Sequence, residues 1–120
     1  MARSVCIIDD DELTRAHMAR MLESDGFTVF EAENAQGGLS FLAATTPDVV
    51  LVDLIMPDKD GIETIAEIRQ KWPDVQVVAI SGGGRVGPSL YLNLAQKLGA
   101  SACLTKPLVI AAFREAIGAA

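Results

Sequence analysis

Four consecutive acids, Asp9 to Glu12, follow directly on the apolar run Val5–Ile8. Like unit charges about 4 Å apart repel by roughly 4 kcal/mol at an effective dielectric of 20. A fold keeps such a cluster where the acids splay into water or where something positive binds. The same punctuation recurs along the chain. Asp53 follows Val49–Val52, Ser81 follows Val75–Ile80, and Thr105, Lys106 and Pro107 follow Ala102–Leu104. One polar residue after a strand usually marks only a turn. Carboxylates, a hydroxyl and an ammonium at matching ends make a constellation. Two or three carboxylates, with water and a backbone carbonyl, suit Mg2+, a hard ion that takes oxygens at about 2.1 Å. A divalent cation then offsets the repulsion among Asp9, Asp10 and Asp53. Beside it, the Asp53 carboxylate is a candidate nucleophile toward a phosphoryl group. Mg2+ would hold one phosphoryl oxygen, Lys106 another and the Ser81 hydroxyl a third. Positioning and charge neutralisation are most of what phosphoryl transfer asks of a protein.

These residues meet only if the elements between them bring them together. Val5–Ile8 and Val49–Val52 are short continuous apolar runs, the pattern of strands buried on both faces. Phe27–Phe30, Val75–Ile80 and Ala102–Leu104 are the other predicted strands. Between them, apolar residues recur at helical spacing. Leu13 to Leu22 ends at Asp25-Gly26, and Ala35 to Ala44 starts from Asn34 as a predicted N-cap. Gly61 to Lys71 stops at Trp72-Pro73, Pro88 to Leu98 stops at Gly99, and Leu108 to Ile117 closes the chain. Five strands alternating with five helices predict a parallel sheet covered on both faces, a doubly wound α/β sandwich. In such sheets ligands bind beyond the carboxyl ends of the strands, at the switch point. Those ends carry the acids, Ser81 and Lys106.

The chain has 120 residues, the size of one domain spanning positions 1–120, and half of them are apolar. No apolar run approaches the length of a membrane span, and acids arrive at position 9, unlike a signal peptide. The net charge of −6 is lopsided. Residues 1–74 hold 15 acids against 6 basic residues, whereas residues 75–120 hold Glu115 against Arg85, Lys97, Lys106 and Arg114. An acidic domain with scattered basic residues is a poor nucleic-acid binder. Cys6 and Cys103 read as buried, reduced thiols of a cytoplasmic protein. In strand order 2-1-3-4-5 they lie three strands apart, roughly 14 Å, too far for a disulfide. His17, the single histidine, reads as a helix-surface residue.

The segments CIIDDDE, VVLVDLIMPDKDG, VVAISG and CLTKPL, in this order, resemble the four signatures of response-regulator receiver domains of two-component signalling, the CheY-like family. The resemblance covers essentially the whole chain. It implies a (βα)5 flavodoxin-like fold and a phosphorylation switch rather than an enzyme. Asp53 would accept phosphate from a histidine kinase or a histidine phosphotransfer protein. Asp10 and Asp53 would ligate Mg2+ directly, Asp9 through a water, and Ile55 through its backbone carbonyl. Ser81 matches the switch hydroxyl and Lys106 the lysine of the family. Pro107 matches a position where the family often has a cis peptide. Ile55 and Gly83 fall where the family tunes loss of the phosphoryl group. Asp11 and Glu12 lie outside the pattern and read as favourable charge at a helix start.

Three features depart from the family or exceed it. Cys103 stands where the family usually has a Tyr or Phe three residues before the lysine; a cysteine is smaller than that ring and cannot sweep the same volume. Tyr91 is a candidate substitute, or simply a core or rim aromatic. Gly82 to Gly87 spell G-x-G-x-x-G, but after the fourth strand and with no acid near 20 residues downstream, which speaks for a switch loop rather than a dinucleotide site. The fourth and fifth predicted helices carry more apolar residues than one buried stripe uses, among them Leu92 and Ile110. Together with the fifth strand they form the expected face for an effector or a second copy. With no effector domain following the last helix, the chain reads as a stand-alone receiver or a fragment of a longer regulator. The competing function is an aspartyl-phosphate hydrolase, which needs a second Asp two residues after the nucleophile; that residue is Ile55. A third is a nucleotide-binding module built on the glycine loop.

Overall fold

The computed structural model describes residues 3–54, 61–81, 93 and 97–118. Five strands form one parallel sheet: β1 (Ser4–Ile8), β2 (Thr28–Ala32), β3 (Val49–Asp53), β4 (Gln76–Ser81) and β5 (Ala102–Thr105). Their spatial order is β2-β1-β3-β4-β5, as the sequence predicts. Four helices are described: α1 (Glu12–Ser24), α2 (Ala35–Ala44), α3 (Gly61–Lys71) and the C-terminal α4 (Ile110–Ile117). Most of the predicted helix over Pro88 to Leu98, with Tyr91 and Leu92, lies outside the described residues. So do Ile55, Met56-Pro57, Asp60 and the glycines from Gly82 to Gly87.

The sheet faces follow from strand parity. Val5, Ile7, Val49, Leu51, Val78 and Ile80 pack under α1 and α4, which bury Met18, Leu22, Phe113 and Ile117. Cys6, Ile8, Val50, Val52, Val77 and Ala79 face α2 and α3, which bury Leu42, Ile65 and Ile68. All five residues of β3, the central strand, are buried, and the four before Asp53 read as an unbroken apolar run for that reason.

Helix ends follow local chemistry. The Asn34 side chain accepts the Gly37 N–H at 2.7 Å and caps α2. Helix α1 ends at Ser24, and Gly26 then turns the chain with φ +96°, a conformation that glycine adopts without a Cβ clash. Leu13 belongs to the predicted apolar stripe of α1, yet it is 82% exposed: the stripe that packs is Met18, Ala19 and Leu22, and Leu13 sits on the first turn, above the sheet edge.

Candidate functional site

Register sets the site. Ile8 pairs with Val52, so Asp9, one residue on, lies level with Asp53 on the adjacent strand. Parallel neighbours are about 4.8 Å apart. The Asp9 N–H still donates to Ala32 O at 3.1 Å, which holds it in the ladder one residue beyond β1. Across the sheet, Ser81 pairs with Thr105, and the Lys106 N–H donates to Ser81 O at 2.8 Å. Lys106 is thereby fixed at the same edge as the acids. Its peptide bond to Pro107 is cis.

Asp9, Asp10 and Asp53 each place a carboxylate oxygen within 4.8 Å of the other two. Asp9 and Asp53 are buried and Asp10 is exposed, so the cluster has a floor and an open rim. The Lys106 ammonium lies 2.8 Å from Asp9 Oδ2 and 3.3 Å from Asp53 Oδ2. Burial of Lys106 works against its charge, but the carboxylates of Asp9 and Asp53 outweigh it and raise the pKa above the ordinary lysine value. Ser81, at the end of β4, is buried. Thr105 is exposed. Four side chains singled out in the sequence, Asp9, Asp10, Asp53 and Lys106, therefore converge, with Ser81 on the neighbouring strand.

The donor set fits a hard divalent cation. Asp9 Oδ2 is fully buried and, although 2.8 Å from the ammonium, makes no aligned hydrogen bond among the described residues. Three carboxylates facing one ammonium leave an excess of negative charge in a partly desolvated place. Oxygen ligands arranged around an open rim are what Mg2+ takes, since it retains several waters. Ile55, the expected carbonyl ligand, lies outside the described residues.

Three residues that sequence reasoning did not assign to the site support it. The Asp9 Oδ1 oxygen accepts the Asp11 N–H at 2.9 Å, closing the turn that carries the acids. Asp11 itself points to the Thr14 hydroxyl, whose hydrogen bond holds the Asp11 carboxyl below its ordinary pKa. Arg15, on α1, donates to the Asp9 carbonyl at 2.8 Å. Gly61, the first residue of α3, abuts the end of β3: a Cβ there would lie 2.4 Å from Asp53 O and 2.5 Å from Leu54 Cα. Helix α3 starts at Gly61 as the sequence predicts, but the contact of Gly61 with the Asp53 backbone carries no sequence signal.

A parallel sheet in the order β2-β1-β3-β4-β5, with helices on both faces, defines a flavodoxin-like α/β fold, and sequence comparison identifies the family within it. Residues 5–118 match the model of the response regulator receiver domain, and the chain belongs to that family. It is 30% identical to the chemotaxis protein CheY of Halobacterium salinarum over 117 residues, covering 98% of this chain and 95% of that protein. It is 38% identical over 107 residues to the KDP operon transcriptional regulatory protein KdpE of Escherichia coli, covering 89% of this chain and 46% of KdpE. The chain thus spans about half the length of KdpE and of the photosynthetic regulators RegA that it also matches. Among solved structures, a response regulator receiver domain protein from Clostridium thermocellum superposes with a TM-score of 0.88 at 29% identity, covering 98% of this chain and 92% of that one. The family comprises phosphorylation-dependent signalling switches rather than conventional enzymes. No described helix is long and apolar enough to cross a membrane.

Proposed function

We propose that this chain accepts a phosphoryl group on Asp53 from a phosphohistidine donor, a histidine kinase or a histidine phosphotransfer protein, in a Mg2+-dependent reaction. The observation that carries this reading is the meeting of Asp9, Asp10 and Asp53 within 4.8 Å, with the Lys106 ammonium 3.3 Å from Asp53. Asp10 and Asp53 would hold the ion directly and Asp9 through a water, with the Ile55 backbone carbonyl as the further ligand that the family resemblance implies. When bound, Mg2+ supplies positive charge to the transferring phosphoryl oxygens. An Asp53 carboxylate oxygen forms the bond to phosphorus as the phosphorus–nitrogen bond of the donor breaks. The electron pair stays on the imidazole nitrogen, which then takes a proton. Lys106, held protonated by its carboxylate neighbours, neutralises charge on the phosphoryl group, and the Ser81 hydroxyl donates to another of its oxygens.

Access and output use different faces. Leu13, Thr14, His17, Met18, Lys106, Pro107 and Leu108 line a hollow of about 420 Å³ beside the site. An exposed leucine next to the catalytic lysine suits docking of a donor helix. On the other side, Val109 is 57% exposed beside β5 and α4, and Ile110 is half-buried. That face is the one through which phosphorylation controls an effector or a second copy. The reduced thiols Cys6 and Cys103 suit a cytoplasmic location.

Beryllofluoride, a phosphoryl mimic, tests this reading. Together with Mg2+ it should raise the melting temperature by several degrees, whereas either alone should give less and Asp53→Asn should show no response to the mimic. An equal shift in Asp53→Asn would remove Asp53 from the role. A larger species in size-exclusion chromatography assigns the output face to a second copy; an unchanged one assigns it to an effector.

A further inference from the structure

Asp10 has the least support of the three carboxylates. It is exposed, and no hydrogen bond or ion pair holds its side chain among the described residues. Its direction is therefore set by the backbone that precedes it, the Asp9–Asp10 peptide plane. That plane is held at its oxygen: Arg15 Nη1 donates to the Asp9 carbonyl at 2.8 Å. The other arm of the guanidinium, Nε, donates to Glu31 Oε1 on β2 at 3.1 Å. The Arg15 side chain is 13% exposed and its bond to the Asp9 carbonyl is partly buried, while Glu31 at the outer arm is 43% exposed. The Asp9 N–H is tied to Ala32 O on the same strand, β2.

We infer that Arg15 is a positioning residue for the metal: by bracing the Asp9 carbonyl against Glu31 it fixes the peptide plane that aims Asp10 into the cluster. This rests on the reading of Asp9, Asp10 and Asp53 as the Mg2+ site. A purely electrostatic role predicts the opposite sign, because removing a cation near a metal site should tighten cation binding. A planar fork can serve two acceptors at once, whereas a lysine ammonium on a flexible stem holds that geometry poorly. Residues that orient metal ligands typically change affinity by 10–100-fold when replaced, and an exposed carboxylate belongs at the low end, about tenfold.

The test is Mg2+ titration by calorimetry, with Mn2+ as a second probe, on wild type, Arg15→Met and Arg15→Lys. Each is checked for native helical signal and melting temperature without metal. Arg15→Met should bind about tenfold more weakly, and Arg15→Lys should also bind more weakly than wild type despite its unchanged charge. At saturating Mg2+ the rate of labelling by acetyl phosphate should recover, since Asp53 and Lys106 are untouched. Parity or tighter binding in a folded Arg15→Met overturns the inference and leaves the metal reading intact. If Arg15→Met does not fold, Arg15→Lys decides: weaker binding supports the inference and parity overturns it. A wild type that binds no Mg2+ overturns both.

Discussion

Lys106 sits between Asp9 and Asp53, and its charge lets two carboxylates be buried side by side. Its pKa is higher in the folded chain than the ordinary 10.5. A folded value above the unfolded one means that these ion pairs contribute fully below about pH 10.5 and are lost as the pH rises through the folded value. Lys106→Met leaves the two carboxylates without their cation and should cost about 3 kcal/mol at neutral pH. Urea denaturation should show this gap narrowing as the pH is raised beyond about 10.5, where the wild-type lysine also loses its charge. The cysteines behave differently. Burial pushes the Cys6 thiol up to about 12 and also raises Cys103. A thiol reagent at pH 8 should leave Cys6 unmodified in the native protein and modify Cys103 slowly, with both reacting fast once the chain is unfolded. Rapid native labelling of Cys6 would contradict its placement in the core.

At the scale of elements, the strands were legible because they are buried on both faces and bounded by polar residues. Val49–Val52 before Asp53 and Val5–Ile8 before Asp9 read as strands for the same reason that β3 is buried throughout. Their right-handed connections then fixed which ends would meet. Helix limits were less legible: α1 extends from Glu12 to Ser24, beyond the Leu13 to Leu22 stripe, because polar residues at its ends carry no periodic signal. Arg15 and Glu31 were not legible as site residues. An arginine among apolar helix positions looks solvated, and only the fold shows that its guanidinium reaches a backbone carbonyl. Gly61 is a similar case. A methyl group there would collide with backbone at Asp53 and Leu54, which cannot rotate away. Gly61→Ala should cost about 1–3 kcal/mol and weaken Mg2+ binding, because the strain falls on the residue that carries Asp53. At Gly38, a Cβ would lie 2.3 Å from Ile8 Cδ1, a side-chain atom. Gly38→Ala should therefore change stability with little effect on the metal, a contrast that calorimetry on the two variants reads directly.

Across the whole molecule, the two halves of the charge distribution meet at the sheet edge, where Lys106 lies against Asp9 and Asp53. The acids that follow β1 and end β3 make the carboxylate cluster, and the less acidic C-terminal part supplies Lys106 and the face around Val109. A ligand that binds only the folded form stabilises it by mass action. Mg2+ at ten times its dissociation constant should add about 1.4 kcal/mol, or a rise of about 5 °C in melting temperature for a chain of this size. Trp72 is half-buried against the α2–α3 side of the core, so its fluorescence follows global unfolding in that experiment. Asp10→Asn should reduce the metal-dependent rise sharply, while leaving the melting temperature without metal unchanged or higher, since one charge of an unbalanced cluster is removed.

The most direct measurement is peptide mapping of the chain after incubation with acetyl phosphate, with Mg2+ and with the metal chelated. A single phosphoryl group on the peptide containing Asp53, formed only with Mg2+ and absent from Asp53→Asn, is the predicted result. Label on another residue, or undiminished label in Asp53→Asn or without metal, would contradict the assignment of this edge of the sheet as a phosphoryl-accepting site.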